Sequence, residues 1–348
     1  MVTIKDVARE ANVSVATVSR VLNGSGPVSE ATQQLIREVA GKMRYVPHNG
    51  ARSLITSKTE TLGVLLPDLY GEFFSEVIRG MDNTAQRHGF HLLISRSYAD
   101  KHEIDTAMRA MRGRVDGVVV MSPDLDDDSL LNLPSTIPVV LLCSVSRGNQ
   151  IDSLTIQNCR GAREMVSHLV AQGHTRIAII KGSPRNYDAA ERLRGYRMAL
   201  RDAGITPDAA LEREGDFTEA GGYAASLELL AMKKRPTAIF AANDSMAIGA
   251  LSALRESGVR VPGDMAVAGF DDIPLARYMD PPLSSVRVPI CELGARAVEL
   301  LLHGVTHKND HERRRERVST ELVIRRSTGG ESAERPPPRT LKEEIVAA

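Results

Sequence analysis

The sequence predicts an α/β protein with two parallel-sheet subdomains, preceded by a small helical headpiece at the N-terminus. Residues 3–23 contain two short segments with apolar side chains at helical spacing, joined by a turn. From residue 61 onward, near-continuous Val, Ile and Leu runs alternate with helical patterns, which is typical of parallel sheets covered on both faces. The length of 348 residues also exceeds that of one ordinary domain.

The first predicted element is a helix that begins after Thr3. Thr3 is a suitable N-cap, and Asp6 in the first turn complements the free backbone amides there. Asn12 then interrupts the helical pattern at a position that suits a left-handed turn. The apolar residues that follow helical spacing in this first segment are Ile4, Val7, Ala8 and Ala11.

The second helix is predicted to begin after Ser14, with Val18, Val21 and Leu22 facing inward. Two short helices joined by a short turn form a helix-turn-helix, whose second helix can lie in a DNA major groove. A helical hairpin without a DNA role fits the spacing equally well. The outward face carries small side chains and one arginine, which suits close approach to base edges: Val15, Ala16, Thr17, Ser19 and Arg20.

A third helix is predicted after Ser29 and ends before Pro47, which disfavours helical geometry in the preceding residue. Residues 1–60 carry eight basic and five acidic side chains, a net charge of +3 in a chain that is neutral overall. A basic head on a slightly acidic body fits a module that faces phosphates. The apolar face of the third helix is expected to contain Leu35, Ile36, Val39, Ala40 and Met43.

The larger part of the chain contains at least eight strand candidates, too many for one sheet of this length. We therefore expect two doubly wound subdomains with a ligand site in the cleft between them, beyond the carboxyl ends of the strands. Polar groups at strand ends and helix starts can bind hydroxyls there. The strand candidates are residues 62–68, 90–96, 115–122, 138–144, 176–182, 237–244 and 265–272, with a last strand after the basic run 311–317.

The order TIKDVAREANVSVATVSRVLN, then YVP, then A-x-x-L resembles the LacI/GalR family of bacterial repressors, and the resemblance continues to about residue 328. It implies a headpiece over 1–47, a hinge helix over 48–59 that orders on operator DNA, and a ligand-binding and dimerisation domain over 60–328. The N-subdomain would span 60–157 and 288–320, and the C-subdomain 158–287 and 321–328. Residues 329–348 are expected to be a disordered tail.

The resemblance also implies the residues that bind each partner. Leu54 of the hinge would enter the minor groove and kink the duplex. His48 and Gln157 depart from the family pattern, which has Asn and Asp there. The expected DNA contacts are Thr3, Lys5, Val15, Ala16, Thr17, Ser19, Arg20, Asn23, His48, Asn49, Ala51, Arg52 and Leu54. The expected ligand contacts are Asp68, Phe73, Phe74, Asn158, Arg192, Phe217, Asn243 and Asp271.

Other patterns in the sequence indicate no catalytic chemistry. His303, His307 and His311 recur every four residues, but Gly304 and Asn309 are expected to interrupt a helix, and no carboxylate partner is apparent. The basic run 311–317 is expected to be a solvated connection. No cofactor loop, metal motif or nucleophile with a paired base is present, so we expect neither an enzyme nor a cofactor.

We therefore expect a transcriptional repressor that binds a near-palindromic operator as a dimer and responds to a small carbohydrate. The alternatives are the same architecture sensing a purine or nucleoside, and a sugar-binding protein without a DNA role. The N-terminus has no signal pattern and no run has membrane-spanning length, so a cytoplasmic protein is expected. The three cysteines, Cys143, Cys159 and Cys291, are expected to be free thiols.

Overall fold

The structure is a computed structural model that describes residues 2–23, 26–45, 58–96, 101–122, 137–145, 151–307 and 310–330. Five of the expected DNA contacts lie outside these ranges, as do most of the hinge segment and most of the tail. The chain divides into two compact units, Met1–Glu60 and Thr61–Ala348. The five contacts outside the described residues are His48, Asn49, Ala51, Arg52 and Leu54.

The N-terminal unit contains the three predicted helices, α1 (Ile4–Glu10), α2 (Val15–Asn23) and α3 (Glu30–Lys42). The predicted caps are confirmed. The backbone N–H of Thr3 donates to the Asp6 carboxylate at 3.0 Å, and Ser29 Oγ accepts from the Thr32 amide at 3.3 Å. The small core that joins the helices consists of Val7, Ala8, Ala11, Val18, Val21, Ile36, Val39 and Ala40.

Of two further predictions for this unit, one is confirmed and the other is wrong. Asn12 has φ of 50°, as expected for the left-handed turn between α1 and α2. Leu35 was expected on the inner face of α3, but its side chain is 45% exposed. Successive residues on a helix are about 100° apart, so with Ile36 at 0% exposure its neighbour Leu35 points away from the core.

The first subdomain of the larger unit is built on a six-stranded parallel sheet in the order β11-β5-β4-β3-β1-β2. The helix α10 (Ile290–Thr306) packs against α4 (Glu72–Arg87), and a third helix, α5 (Lys101–Met111), contacts β1. The strands are β1 (Thr61–Leu66), β2 (His91–Arg96), β3 (Gly117–Met121), β4 (Val139–Leu142), β5 (Asp152–Ile156) and β11 (Arg315–Val318).

The second subdomain has its own six-stranded sheet in the order β12-β10-β9-β8-β6-β7. Its pairs are parallel except β10 with β12, which are antiparallel. The strands are β6 (Ile177–Lys181), β7 (Glu212–Glu214), β8 (Ala238–Ala241), β9 (Ala266–Asp271), β10 (Ser284–Arg287) and β12 (Glu321–Val323). Helices pack in pairs, α6 (Asn158–Ala171) with α7 (Tyr187–Asp202) and α8 (Glu219–Leu230) with α9 (Asp244–Glu256).

The chain passes between the two sheets three times: after β5, after β10, and between β11 and β12. The predicted fold class is therefore confirmed: a helix-turn-helix unit is followed in the chain by two doubly wound subdomains. Strands β5, β7 and β10 were not predicted because their sequences, DSLTI, ERE and SSVR, lack a continuous apolar run.

The expectation for the basic run was wrong in part. Residues 315–318 form β11, an edge strand that pairs with β5. The exposed Arg315 and Arg317 alternate with half-buried Glu316 and Val318. Charged side chains are well suited to an edge strand because they discourage further pairing.

The expectation for the histidines was also wrong. The helix α10 continues through Gly304 to Thr306, although glycine costs about 1 kcal/mol in a helix interior. His311 is buried and its Nε2 lies 2.6 Å from Asp152 Oδ2, so a carboxylate partner exists. His303 Nδ1 lies 2.7 Å from His311 Nδ1. Even so, the described residues contain no group of three or more His, Cys, Asp or Glu arranged to hold a metal ion.

Candidate functional site

A cleft of about 300 Å³ opens between the carboxyl ends of the two sheets. Both subdomains line it, because the residues after β1 and the first turn of α4 contribute from one side and α7, β9 and the residues after β7 and β8 from the other. Seven of the eight predicted ligand residues lie here: Asp68, Phe73, Phe74, Arg192, Phe217, Asn243 and Asp271.

Arg192 of α7 is the most constrained side chain of the cleft. Its Nε donates to Asn158 Oδ1 at 2.8 Å, and its Nη1 donates to the Ala242 carbonyl at 2.5 Å. Its Nη2 lies 3.2 Å from Asp271 Oδ1, and the guanidinium carbon sits 3.8 Å above the Phe270 ring. Two of the five guanidinium N–H groups therefore donate to the protein, and Asp271 balances the charge of the group.

Asp271 ends β9 with φ of 109°, a backbone conformation that is unusual for a residue with a side chain. The tight turn points its carboxylate at Arg192. The pKa of Asp271 is raised to about 7, chiefly by burial and also by the nearby Asp188, while Arg192 opposes the shift. Strained backbone and a perturbed carboxyl group in one cleft are typical of a functional site.

Asn158 does not line the cavity, in contrast to the direct ligand contact expected for it. Its side chain is buried at the start of α6, where Nδ2 donates to Asp188 Oδ1 at 2.7 Å and Oδ1 accepts from Arg192. Burial raises the pKa of Asp188, while Arg192 and the Asn158 hydrogen bond oppose the shift. Asn158 therefore positions the two charged side chains that face the cavity.

The aromatic residues form the apolar part of the cleft. Phe73 and Phe74 in the first turn of α4 meet edge to face, with ring centroids 5.6 Å apart. Phe217 has φ of 66°, and its ring lies against Gly182, where an added Cβ would come within 2.3 Å of the ring. The absence of a side chain at Gly182 therefore allows the ring to take this position.

Asn243 and Asp244 have different roles at the start of α9. Asn243 is the N-cap of α9, since its Oδ1 accepts from the Met246 amide at 3.0 Å. Asp244 is completely buried behind the cleft, where it accepts from the Ile273 amide at 2.9 Å and from Ser285 Oγ at 2.6 Å. Burial raises its pKa well above the usual range. Asp244 thus connects α9 to the loop that lines the cleft.

One hydrogen bond crosses the mouth of the cleft. The carboxylate of Glu72, at the start of α4, accepts from the Leu275 backbone amide at 2.8 Å. Leu275 belongs to the short 3-10 helix Pro274–Tyr278 of the other subdomain. This contact bridges the two sides of the cavity without blocking it.

Several lining residues were not predicted from the sequence. Asp188 precedes Arg192 by four residues on α7, a spacing that places both on one helix face and was a usable signal. Asp216 follows the unpredicted strand β7, and no pattern indicated its position. The other lining residues that sequence reasoning missed are Pro67, Tyr70, Gly71, Glu72, Met121, Asn186, Thr218, Ser245 and Ile273.

The residues of α2 that were predicted to contact DNA differ in their exposure. Val15 is 41% exposed, and Ala16 and Arg20 are exposed as well. Ser14 Oγ accepts from the Thr17 amide at 3.1 Å and caps the helix. Also on α2, Thr17 and Ser19 are half-buried, and the side chain of Asn23 lies outside the described part of the chain. Thr3, before α1, and Lys5, on α1, are exposed.

The two units together define the class of protein: a DNA-binding transcriptional regulator with a ligand-binding domain. Residues 3–48 match the family model for bacterial regulatory proteins of the lacI family, and residues 166–328 match that of the periplasmic binding protein-like domain. The repressor PurR of Vibrio atlanticus (strain LGP32) is 37% identical over 329 residues, which cover 93% of this chain and 98% of PurR.

Two solved structures share the fold over 94% of this chain. The lac repressor dimer bound to operator and the anti-inducer ONPF has 30% identity and a TM-score of 0.84, with 99% of that chain covered. The regulator CelR in complex with cellobiose has 33% identity and a TM-score of 0.72, with 100% of that chain covered. The chain belongs to the lacI family of bacterial regulatory proteins and is a DNA-binding transcriptional repressor. Among its described helices, none is long and apolar enough to cross a membrane.

Proposed function

We propose that this repressor binds a near-palindromic operator as a dimer and is controlled by a neutral carbohydrate in the cleft between its subdomains. The observation that carries the proposal is the imbalance of hydrogen-bonding groups in the cleft. The arginine of the cleft is held by Asn158 and the Ala242 carbonyl and is paired with Asp271, while five carboxylates line the cavity. These are Asp68, Glu72, Asp188, Asp216 and Asp271.

A cleft rich in acceptors favours a ligand that donates hydrogen bonds. Carboxylates only accept when ionised, whereas sugar hydroxyls donate and can bridge two acceptors. The rings of Phe73, Phe74 and Phe217 provide apolar faces for the C–H faces of a sugar ring. The combination of a few placed polar groups with aromatic walls is typical of small-molecule sites.

The charge of the cleft disfavours an anionic effector. One arginine stands among five carboxylates, so a phosphorylated sugar or an organic acid would meet a repulsive field. The raised pKa of Asp271 shows that the charges already present there are poorly solvated. A neutral ligand meets no such cost.

A purine or nucleoside is the second candidate, supported by several relatives named PurR and by the three phenylalanines. The geometry favours it less, because Phe73 and Phe74 meet at 90° and so do not form parallel plates around a flat base. A purine also offers fewer donors than a sugar to the carboxylates of the cleft.

Control of DNA binding would follow from closure of the cleft. A ligand held by both subdomains stabilises one relative pose of α4 and the 3-10 helix at the mouth, where Glu72 and Leu275 already meet. In a dimer, a change of this pose alters the spacing of the two headpieces and hence their fit to two half-sites. The two sites are then coupled, and the coupling is reciprocal.

The test is a binding assay with promoter DNA from the neighbourhood of the gene. The full chain is titrated into labelled promoter and into scrambled duplex at one fixed salt concentration, alone and with a panel of neutral sugars, sugar phosphates, purines and nucleosides. We expect promoter preference that one or more neutral sugars change by at least severalfold. A response to purines alone would refute the carbohydrate assignment, and equal affinity for both duplexes would refute the operator assignment.

A further inference from the structure

A second concave surface lies outside the cleft, on the face of α6 and α7. It has a volume of about 910 Å³ and is lined by both subdomains. Gln157 on one crossover, Arg317 on β11 and Leu322 on β12 border it, together with side chains of the two helices. We call it the crossover groove.

The crossover groove is rich in arginine. Arg160, Arg163, Arg194 and Arg317 line it, against the acidic Glu164 and Glu191. Arg160 pairs with Glu164 and Arg194 with Glu191, while Arg163 pairs with Asp202 outside the groove.

These ion pairs leave room for an anion. The three arginine side chains are between 49% and 65% exposed, and exposed ion pairs contribute little to stability, so the guanidinium groups can turn to a ligand at little cost. Arg317 is different, since its side chain makes no hydrogen bond or ion pair with any residue that the structure describes. Its positive charge is exposed on the edge strand and near Tyr187.

The first turn of α6 adds a second attraction for an anion. Gln157 is its N-cap but makes no capping hydrogen bond, so the amides of this turn remain open to a ligand. The Oε1 atom of Gln157 is buried without a partner among the described residues, and the same holds for Thr320 Oγ1 on the crossover between β11 and β12. The amide group of Gln157 can be turned over, which presents its NH₂ as a donor at this position.

We propose that the crossover groove is a second small-molecule site that binds a phosphate-bearing anion. Arginine forks and an uncapped helix start match the geometry of phosphate oxygens. The groove is chemically opposite to the acidic cleft, so the two sites select different ligands. This inference does not depend on the identity of the ligand in the cleft.

The crossover groove is also connected to the cleft. Asn158, the residue after Gln157, holds Arg192 and Asp188 on the other side of the first turn of α6. In addition, the backbone N–H of Gln157 donates to the Val318 carbonyl at 3.0 Å, and this hydrogen bond joins two of the three crossovers. An anion that draws this turn toward the groove therefore changes the hydrogen bonds that hold Arg192 in the cleft. It also changes the relative positions of the two subdomains at the crossovers.

The test is titration calorimetry, in which inorganic pyrophosphate is titrated into the full chain in metal-free buffer. Arg317→Gln removes the unpaired cation, and Arg185→Gln is the matched control, an exposed arginine of the same unit that does not line the groove. We expect one pyrophosphate per chain, about tenfold weaker binding in Arg317→Gln, and unchanged binding in Arg185→Gln. No binding to the unaltered chain, or equal binding to the two variants, would overturn the proposal. Preference for citrate over pyrophosphate would overturn the choice of phosphate.

A second readout locates the anion. Cys159 lines the groove, whereas Cys291 begins α10 in the other subdomain. Alkylation by the neutral reagent iodoacetamide is followed by peptide mass spectrometry. We expect pyrophosphate to slow the reaction at Cys159 but not at Cys291, and to lose this effect in Arg317→Gln. Protection that is absent at Cys159, or equal at both cysteines, would place the anion elsewhere.

Discussion

The guanidinium of Arg192 lies 3.2 Å from the carboxylate of Asp271, and both side chains are more than nine-tenths buried. Asn158 links Asp188 to the same guanidinium, because it donates to Asp188 and accepts from Arg192. One arginine is therefore connected to two buried acids. Such a pair is costly to desolvate and costly to break. The cleft therefore has a polar floor whose geometry is fixed by the protein, independently of a ligand.

The first prediction concerns Arg192 itself. Arg192→Met keeps the volume but leaves Asp188 and Asp271 without their cation, so the free energy of unfolding should fall by about 3–5 kcal/mol. Urea unfolding followed by circular dichroism measures the change, with Arg185→Met as the control for loss of an exposed arginine. A loss below about 1 kcal/mol would mean that the pair does not stabilise the fold.

The second prediction concerns pH. The pKa of Asp271 is raised to about 7 in the folded chain, from 3.8, so the folded state holds a proton that the unfolded state releases. Its stabilising contribution is full below about pH 4 and is lost as the pH rises to about 7, with a total of up to about 4 kcal/mol. The measurement is the difference in unfolding free energy between the unaltered chain and Asp271→Asn from pH 4.5 to 8. The unfolding free energy of the unaltered chain minus that of Asp271→Asn should fall as the pH rises, and a value that rises with pH would contradict the prediction.

The third prediction concerns the Phe217 ring. In Gly182→Ala the new methyl group would meet this ring at 2.3 Å, so the ring must shift in the cleft. Affinity for the effector found in the promoter assay should fall about tenfold or more, while the unfolding free energy falls by only about 1–3 kcal/mol. Calorimetry measures the affinity. Gly263→Ala, where the nearest atom is 3.8 Å away, should leave it unchanged.

The sequence predicted the parts of this protein in which one segment carries its own signal. The caps at Thr3 and Ser29 and the apolar strands on both sides of the cleft are of this kind. It missed β10 and β11 because pairing within a sheet, rather than apolar composition, makes SSVR and RERV strands. The His311 and Asp152 pair is 159 residues apart in the chain, so only the folded sheet could reveal it.

The same distinction holds for the cleft. Arg192 and Asp271 follow family motifs and strand ends, so the sequence predicted their presence near a ligand. The hydrogen bonds by which Asn158 holds Arg192 and Asp188 depend on which way a helix turn faces. The hydrogen bond from Leu275 to Glu72 spans 203 residues and uses a backbone amide, which no residue pattern can indicate.

The fourth prediction concerns that hydrogen bond. Glu72→Ala removes the acceptor for the Leu275 amide and should favour an open cleft, so the effector dissociates faster and binds severalfold more weakly. Stopped-flow dissociation measures the rate. The control is Glu76→Ala on the same helix, since Glu76 pairs with Arg79 and does not line the cleft. Equal effects of the two variants would show that helix charge alone is responsible.

The last prediction concerns the headpiece. Arg20 is the only arginine on the outward face of α2, and a bidentate contact with guanine is worth about 1–3 kcal/mol. Arg20→Ala should therefore reduce affinity for the promoter site by this amount per half-site, with a smaller loss on scrambled duplex. Arg9→Ala removes the same charge from α1, where Arg9 is paired with Asp6 and exposed, so it should weaken both duplexes alike. Fluorescence anisotropy at one salt concentration separates the two effects, because a base contact changes the ratio of the affinities and a phosphate contact does not. If Arg20→Ala leaves that ratio unchanged, α2 does not read the operator through this residue.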